Sequence, residues 1–130
     1  MEQNYKILLI EDEQFLIRFY QAELIQLGYK TVIVEDGGIA IEQAVTEQPN
    51  LIILDIMLPN KNGFEILKEL KSIDSTKNIP VITLSQLAQE TDLRELRKLG
   101  AYICLIKMDT QLTALINEVK KILPLKTIQV

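Results

Sequence analysis

The sequence predicts an α/β fold built on a doubly wound, five-stranded parallel sheet with five helices. Five short runs rich in Ile, Leu and Val alternate with longer amphipathic stretches along the 130 residues, as in repeated strand–helix units. The runs are apolar at nearly every position, which is typical of parallel strands covered by helices on both faces. A chain of this length forms one domain. We therefore expect a single domain over residues 1–130, with a core of about 5–123 and a tail or the start of a linker over 124–130.

Strands are expected where the apolar residues are continuous, and helices fill the intervals. The predicted strands cover 6–10, 30–34, 51–54, 79–84 and 102–106. The predicted helices cover Phe15–Leu27, Gly38–Glu47, Gly63–Ser72, Gln89–Leu99 and Thr110–Leu123. Gly28 and Gly100 follow the first and fourth helices, and Pro49 and Pro124 lie just beyond the second and fifth. Glycine and proline at these places are usual signals for the end of a helix.

The expected strand order is 2-1-3-4-5. Right-handed crossovers with helices on both faces require the first strand to lie inside the sheet, and this order places the switch point between the first and third strands. Four of the five apolar runs end at polar residues that can do chemistry, namely Glu11, Asp12, Glu13, Asp55, Ser85 and Lys107. Parallel strands bring these residues to the carboxyl end of the sheet, where open α/β sheets bind their ligands.

The composition excludes several kinds of site. The chain has no histidine, and Cys104 is its single cysteine, so an internal disulfide, a His/Cys zinc cluster and a triad with imidazole are excluded. Eighteen acidic and 14 basic side chains give a formal charge of −4, which argues against direct nucleic-acid binding. No apolar run is long enough for a membrane span or a signal peptide. We expect a cytoplasmic protein that contacts neither nucleic acid nor membrane.

Glu11, Asp12 and Asp55 are expected to meet at the switch point between the first and third strands. Carboxylates packed this closely repel one another unless a cation shares the site. Mg2+ prefers oxygen ligands and is usually held by one or two carboxylates together with phosphate oxygens. The predicted site therefore implies Mg2+ and a phosphorylated partner or substrate.

Four fragments stand in a definite order along the chain: ILLIEDE, LIILDIMLPNKNGFEIL, IPVITLSQ and GAYICLIK. In this order and spacing they resemble the response-regulator receiver domain of bacterial two-component signalling, over roughly residues 5–123. The resemblance implies a flavodoxin-like fold in which Asp55 accepts a phosphoryl group from a sensor histidine kinase or a phosphotransfer protein. It implies a signalling domain with self-catalysed phosphotransfer and dephosphorylation, and no turnover of a small substrate. A downstream effector domain or protein and a phosphorylation-dependent homodimer are the further partners that it suggests.

The resemblance also implies roles for the residues around the acceptor. Asp12 is expected to be the nearer ligand of Mg2+, or of Mn2+ in its place, with Glu11 acting through water or as a support. The carbonyl of Met57 is expected as a further ligand. Lys107 and the Ser85 hydroxyl are expected to bind the phosphoryl oxygens. Movement of that hydroxyl would then change the face formed by the fourth helix, fifth strand and fifth helix.

Several positions depart from the family pattern. Lys107 precedes Met108 rather than proline, and since a cis bond without proline costs about 3 kcal/mol we expect a trans bond there. Cys104 stands where the family carries the aromatic switch residue, and Tyr102, two residues earlier on the same strand face, is the candidate to replace it. Gln86 stands in place of a small residue and could hinder access to the phosphate.

Partner surfaces are expected near the fourth helix and fifth strand. Tyr102 and Ile103 form a candidate docking patch, with the alternative that neighbouring helices cover Ile103. Arg94, Arg97 and Lys98 form a basic ridge that we expect to be a solvated helix face.

Each site residue alone also has an ordinary explanation, as a helix-terminal acid, a turn residue, a capping hydroxyl or a surface charge. Their joint occurrence favours the phosphoacceptor hypothesis. Two alternatives stay open: an interaction module that works without phosphorylation, and a magnesium phosphohydrolase. Met57 stands where a second acid would favour the hydrolase.

Overall fold

The computed structural model describes residues 4–86, 89–107 and 112–125. Its strands are β1 (Lys6–Ile10), β2 (Lys30–Val34), β3 (Leu51–Asp55), β4 (Val81–Ser85) and β5 (Ile103–Ile106). All neighbouring pairs are parallel, and the order is β2-β1-β3-β4-β5. The predicted doubly wound topology is confirmed.

Five α-helices connect and cover the strands. They are α1 (Gln14–Gln26), α2 (Ala40–Glu47), α3 (Gly63–Ser72), α4 (Glu90–Lys98) and α5 (Leu112–Ile122), with a 3-10 turn at Gly37–Ile39 before α2. Gly28 and Gly100, which follow α1 and α4, have φ values of 97° and 108°. This left-handed backbone strains residues with a Cβ, so glycine is the favoured end signal at both positions.

Several predicted boundaries differ from the structure by one or two residues, and three of these differences have a clear local reason. The fourth strand begins at Val81 instead of residue 79, because Pro80 has no N–H to donate to the sheet ladder. The second helix begins as a 3-10 turn, since the Asp36 carboxylate accepts the Gly38 N–H at 2.7 Å and caps that turn. Tyr102 donates its N–H to the Val81 carbonyl at 2.8 Å but lies outside β5, which begins at Ile103. Residues 110 and 111 of the predicted fifth helix lie outside the described residues.

The helices cover the sheet in two layers. On one face α1 and α5 pack Tyr20, Leu24, Leu115 and Val119 against strand residues such as Leu9 and Ile53. On the other, α2, α3 and α4 pack Ala44, Leu67 and Leu96 against strand residues such as Leu8 and Leu54. Strands β3 and β4 are buried at every position. Residues at their carboxyl ends therefore project from a rigid, water-free base.

One hydrogen bond joins two segments of the fold that are far apart in sequence. The Tyr29 hydroxyl donates to the Leu123 carbonyl at 2.6 Å, joining the start of β2 to the end of α5. Burial raises the pKa of Tyr29, so its hydroxyl stays a donor over the ordinary pH range. None of the described helices combines the length and the apolar composition needed to cross a membrane.

Candidate functional site

The carboxyl ends of β1 and β3 bring three acids into one cluster. Ile10 and Leu54 are register partners on these neighbouring strands, so Glu11 and Asp55 follow side by side. One carboxylate oxygen from each of Glu11, Asp12 and Asp55 lies within 4.8 Å of the others. The predicted meeting of these three residues at the switch point is confirmed.

Glu11 is the most buried of these acids, with no exposed surface. Its Oε2 accepts the backbone N–H groups of Asp12 at 3.1 Å and Glu13 at 3.2 Å. These bonds fix the carboxylate against its own chain before any ligand arrives. Burial raises the pKa of Glu11, and the negative charge of Asp55 raises it further, while bonds to Lys107 and the backbone oppose the change.

Lys107 supplies the positive charge of the site. Its Nζ lies 3.0 Å from Glu11 Oε1, 3.3 Å from Asp55 Oδ2 and 3.9 Å from Glu13 Oε1, and only 8% of its side chain is exposed. Burial alone would lower the pKa of Lys107, but the bond to Glu11 and the charges of Asp55 and Glu11 raise it above its usual value. A permanently charged ammonium group therefore stands beside the candidate acceptor.

Glu11 Oε1 is a buried oxygen without a hydrogen-bond donor among the described residues. Lys107 Nζ is close to it, but the ammonium group makes its hydrogen bond to Oε2, at 3.3 Å. The ammonium group 3.0 Å away balances the charge of this oxygen, but three carboxylates in one cluster carry more negative charge than one lysine supplies. Asp12, which keeps contact with solvent, lies on the open side of the same cluster. Hard carboxylate oxygens in this arrangement fit a divalent ion such as Mg2+.

Asp55 is held from both sides. It is 2% exposed, its Oδ1 accepts the Met57 N–H at 3.1 Å, and its Oδ2 faces Lys107. The Met57 side chain itself is 62% exposed, so this residue contributes backbone to the site.

The turn after Asp55 is fixed by Gly63. The Gly63 N–H donates to the Ile56 carbonyl at 3.0 Å, and a Cβ on Gly63 would lie 2.5 Å from Ile56 Cα. Only glycine permits this approach of α3 to the chain beside the acceptor. Asn62 caps α3 by accepting the Phe64 N–H at 2.7 Å.

Ser85 ends β4 between the strands that carry Asp55 and Lys107. It is 2% exposed, is the register partner of Ile106, and its carbonyl accepts the Lys107 N–H at 2.8 Å. The Ile56 N–H donates to the neighbouring Leu84 carbonyl at 3.0 Å. The backbone thus brings Ser85, Asp55 and Lys107 to adjacent places, as predicted from the strand ends.

The predicted switch residues are less well placed. Cys104 is half-buried and packs against the core beneath α2, α3 and α4. Tyr102 lies directly before β5 and is 52% exposed, and its role as a switch residue stays a prediction. Ile103 packs against the α1–α5 core, as the alternative held. The basic ridge is exposed and Arg97 pairs with Glu90 at 2.8 Å, consistent with a solvated helix face. The Lys107–Met108 bond involves a residue outside the described part of the chain.

Sequence reasoning missed two neighbours of the site. Glu13 was placed at the carboxyl end of the sheet without a role, yet it contacts Lys107. Tyr20 lies on the inward face of α1 and is 5% exposed; burial raises its pKa, and the charge of Glu11 adds to that rise. Its only sequence signal was helical spacing with Ile17 and Leu24, which is also the signal of an ordinary core residue.

The chain matches known proteins over most of its length. The family model of the response regulator receiver domain matches residues 7–120. Sporulation initiation phosphotransferase F of Bacillus subtilis is 35% identical over 125 residues, which are 95% of this chain and 98% of that protein. The alkaline phosphatase synthesis transcriptional regulatory protein PhoP of Bacillus subtilis is 36% identical over 89 residues. That match covers 68% of this chain but only 36% of the length of PhoP.

A solved structure agrees with this match. The receiver domain of the sensor histidine kinase PA1611 from Pseudomonas aeruginosa superimposes with a TM-score of 0.81 and 25% identity, over 92% of this chain and 97% of that one. Its structure is described as having a magnesium ion coordinated in the active site cleft.

Proposed function

Because the chain belongs to the response regulator receiver domain family, we propose that Asp55 accepts a phosphoryl group from a phosphohistidine donor, with Mg2+ bound beside it. The donor is a sensor histidine kinase or a phosphotransfer protein. The observation that carries this proposal is the contact of Lys107 with both Asp55 and Glu11 inside an acidic cluster. The chain acts as a signalling domain.

The residues that would hold the ion are Asp12, Asp55 and the Met57 carbonyl, with Glu11 acting through water or as a support. When bound, Mg2+ neutralises charge on the phosphoryl oxygens and on the carboxylates that surround them. The cluster of Glu11, Asp12 and Asp55 supports this assignment, because one ammonium group does not balance the charge of three carboxylates. Mn2+ has similar ligand preferences and stays a second candidate.

The chain's own residues then carry the transfer. A carboxylate oxygen of Asp55 attacks phosphorus, and the new O–P bond forms while the P–N bond of the phosphohistidine breaks. The electron pair of that bond stays on the imidazole nitrogen, which takes up a proton. Lys107 faces the charge that develops on the equatorial oxygens, and Ser85 offers a hydroxyl donor to them. Most of the catalysis is positioning and charge neutralisation, which the fixed backbone around Asp55 provides.

Phosphorylation would act on the partner surface through Ser85. Movement of its hydroxyl toward the aspartyl phosphate would pull the segment after β4 and change the face formed by α4, β5 and α5. A downstream effector, as a domain or a separate protein, and a phosphorylation-dependent homodimer are the partners proposed for that face. In this proposal residues 1–130 work as one receiver domain, with its core at about 5–123.

Mass spectrometry of the intact protein tests the proposal. Incubation with acetyl phosphate and Mg2+ is expected to add one phosphoryl group, with acetate as the leaving group, and chelation of the metal should prevent the addition. Asp55→Asn should abolish the gain, while Asp74→Asn, at a residue whose side chain is 97% exposed, should retain it. A wild-type protein that gains no mass, or an Asp55→Asn protein that still does, would contradict the proposal.

A second candidate function is an interaction module that works without phosphorylation. Cys104 favours it, because the half-buried thiol stands where the family carries an aromatic ring, while Tyr102 is exposed just before β5. Hydrogen exchange before and after treatment with acetyl phosphate separates the two candidates. Changed protection in α4 and β5 supports a working switch, whereas phosphorylation without any change would favour the second function.

A further inference from the structure

Two cations are required at one cluster of oxygens, and this creates a conflict within the site. In the structure Lys107 contacts Glu11 and Asp55, two of the three acids that group as candidate metal ligands. A divalent ion bound by those acids would repel the ammonium group and compete for the same oxygens. Lys107 therefore needs a further partner once the ion is bound.

Among the described residues, Glu13 is the one carboxylate that pairs with Lys107 from outside the three-acid cluster. Its Oε1 is 3.9 Å from Lys107 Nζ, and its side chain is 52% exposed. Its backbone is fixed, because its N–H donates to Glu11 Oε2 at 3.2 Å. The side chain can thus reorient in solvent while its starting point beside the lysine stays constant.

The place of Glu13 in α1 supports a role outside its own helix. Glu13 is the N-cap residue of α1, a position where side-chain oxygens commonly accept a backbone N–H. Its side chain makes no such capping bond. Among the described residues, its side chain forms one ion pair, with Lys107.

We propose that Glu13 is a positioning residue that receives the Lys107 ammonium group when a divalent ion occupies Glu11, Asp12 and Asp55. The inference rests on the proposed function. Glu13 holds the lysine at the mouth of the site, where it meets the phosphoryl oxygens. Without Glu13, binding of the ion would leave Lys107 facing like charge, with no further carboxylate partner in the part of the chain that the structure describes.

A double-mutant cycle on Mg2+ affinity, measured by isothermal titration calorimetry, tests this role. Glu13→Gln is expected to weaken Mg2+ binding about fivefold in the wild-type background, the size of one partly exposed ion pair. The same substitution should change the affinity little when it is combined with Lys107→Met, because the lysine that needs a partner is then absent. Equal weakening in both backgrounds would show that Glu13 acts only through its general negative field, and would overturn the proposal.

Glu13→Asp tests whether the length of the side chain at residue 13 matters in addition to its negative charge. The shorter side chain keeps the negative charge, and aspartate is a good N-cap residue, but it is one methylene further from Lys107. We expect its Mg2+ affinity to fall as in Glu13→Gln, and wild-type affinity would overturn the proposal. Glu42→Gln, an exposed acid in the first turn of α2, is the control for a change of one unit in net charge.

Phosphoryl uptake from acetyl phosphate distinguishes a failure of the proposed function from a failure of the role proposed for Glu13. If the wild-type protein gains no phosphoryl mass, the proposed function fails whatever the calorimetry gives. If the wild type gains mass in the presence of Mg2+ while the cycle is additive, only the role of Glu13 is lost. Slower uptake by Glu13→Gln at low Mg2+ and recovery at high Mg2+ would support the role.

Discussion

The carboxyl end of the sheet and its interior each contain a buried oxygen without a hydrogen-bond donor among the described residues. These oxygens are Glu11 Oε1 and Thr83 Oγ1. The first is anionic, belongs to a three-acid cluster and lies 3.0 Å from an ammonium group. The second is neutral and lies in β4 between Leu54 and Cys104 in register. The two oxygens therefore have different consequences. The Glu11 carboxylate, grouped with Asp12 and Asp55, can share a bound cation, whereas the neutral hydroxyl of Thr83 within the core only costs stability.

The largest expected effect concerns the charge balance at the carboxyl end of the sheet. Lys107→Met leaves the four carboxylates of Glu11, Asp12, Glu13 and Asp55 without their ammonium group. Removing one partner of a buried ion pair should lower the free energy of unfolding by about 3 kcal/mol. Because the competing cation is gone, Mg2+ should raise the melting temperature of this variant more than that of the wild type.

Chemical denaturation with and without Mg2+ measures both effects. Lys120→Met, at an exposed residue of α5, controls for the loss of one positive charge and should change stability little. An unchanged free energy of unfolding in Lys107→Met would mean that the acids near residue 107 are hydrated and do not need the lysine.

The next effect tests how tightly the turn after Asp55 is built. Gly63→Ala places a Cβ 2.5 Å from Ile56 Cα and 2.8 Å from its carbonyl oxygen, and backbone atoms of a packed core cannot easily move away. We expect a loss of about 2–3 kcal/mol in the free energy of unfolding and slower phosphoryl uptake by Asp55. Gly38→Ala is the matched control, because its Cβ would meet a side-chain oxygen of Asp36 at 3.2 Å. Equal losses in the two variants would show that the close approach is unimportant.

These features differ in how far the sequence could predict them. The strand order and the meeting of Glu11, Asp12 and Asp55 follow from where the apolar runs end, since parallel strands must align their carboxyl ends. The contact of Glu13 with Lys107 and the missing donor of Thr83 depend on side-chain orientations within a few ångströms, which no periodicity records. The apolar run predicts a fifth strand from residue 102, but the structure begins that strand at Ile103, because the exact end of a strand depends on local hydrogen bonds that the run does not record.

A smaller effect, of opposite sign, is expected at Glu11. The pKa of Glu11 in the folded protein is raised above its ordinary value of 4.5. Between 4.5 and the raised pKa of the folded protein, the folded state therefore binds more protons than the unfolded state. Stability therefore falls as the pH rises through the interval, and Glu11 in its charged form destabilises the fold above it. Glu11→Gln mimics the neutral side chain and should raise the free energy of unfolding at pH 7 by about 1 kcal/mol.

The gain in Glu11→Gln should shrink as the pH falls and disappear well below 4.5, where the wild-type residue is protonated in both states. Mg2+ binding should weaken in the same variant, so stability and function change in opposite directions. Denaturation at several pH values, with Glu42→Gln as the control, measures the first effect, and calorimetry measures the second. A gain that is independent of pH would show that the charge of Glu11 is not its cause.

The smallest expected effect on the free energy of unfolding concerns Thr83, in the interior of the sheet. Thr83→Val replaces a buried hydroxyl that has no partner among the described residues with a methyl group of similar size. It should raise the free energy of unfolding by about 1 kcal/mol and leave Mg2+ binding unchanged. Thr76→Val is the matched control, because the equally buried Thr76 hydroxyl donates to the Leu70 carbonyl at 2.6 Å, so the same substitution there should destabilise the protein. If Thr83→Val also destabilised it, the Thr83 hydroxyl would have to find a partner in solution, and only the oxygen of Glu11 would stay unsatisfied.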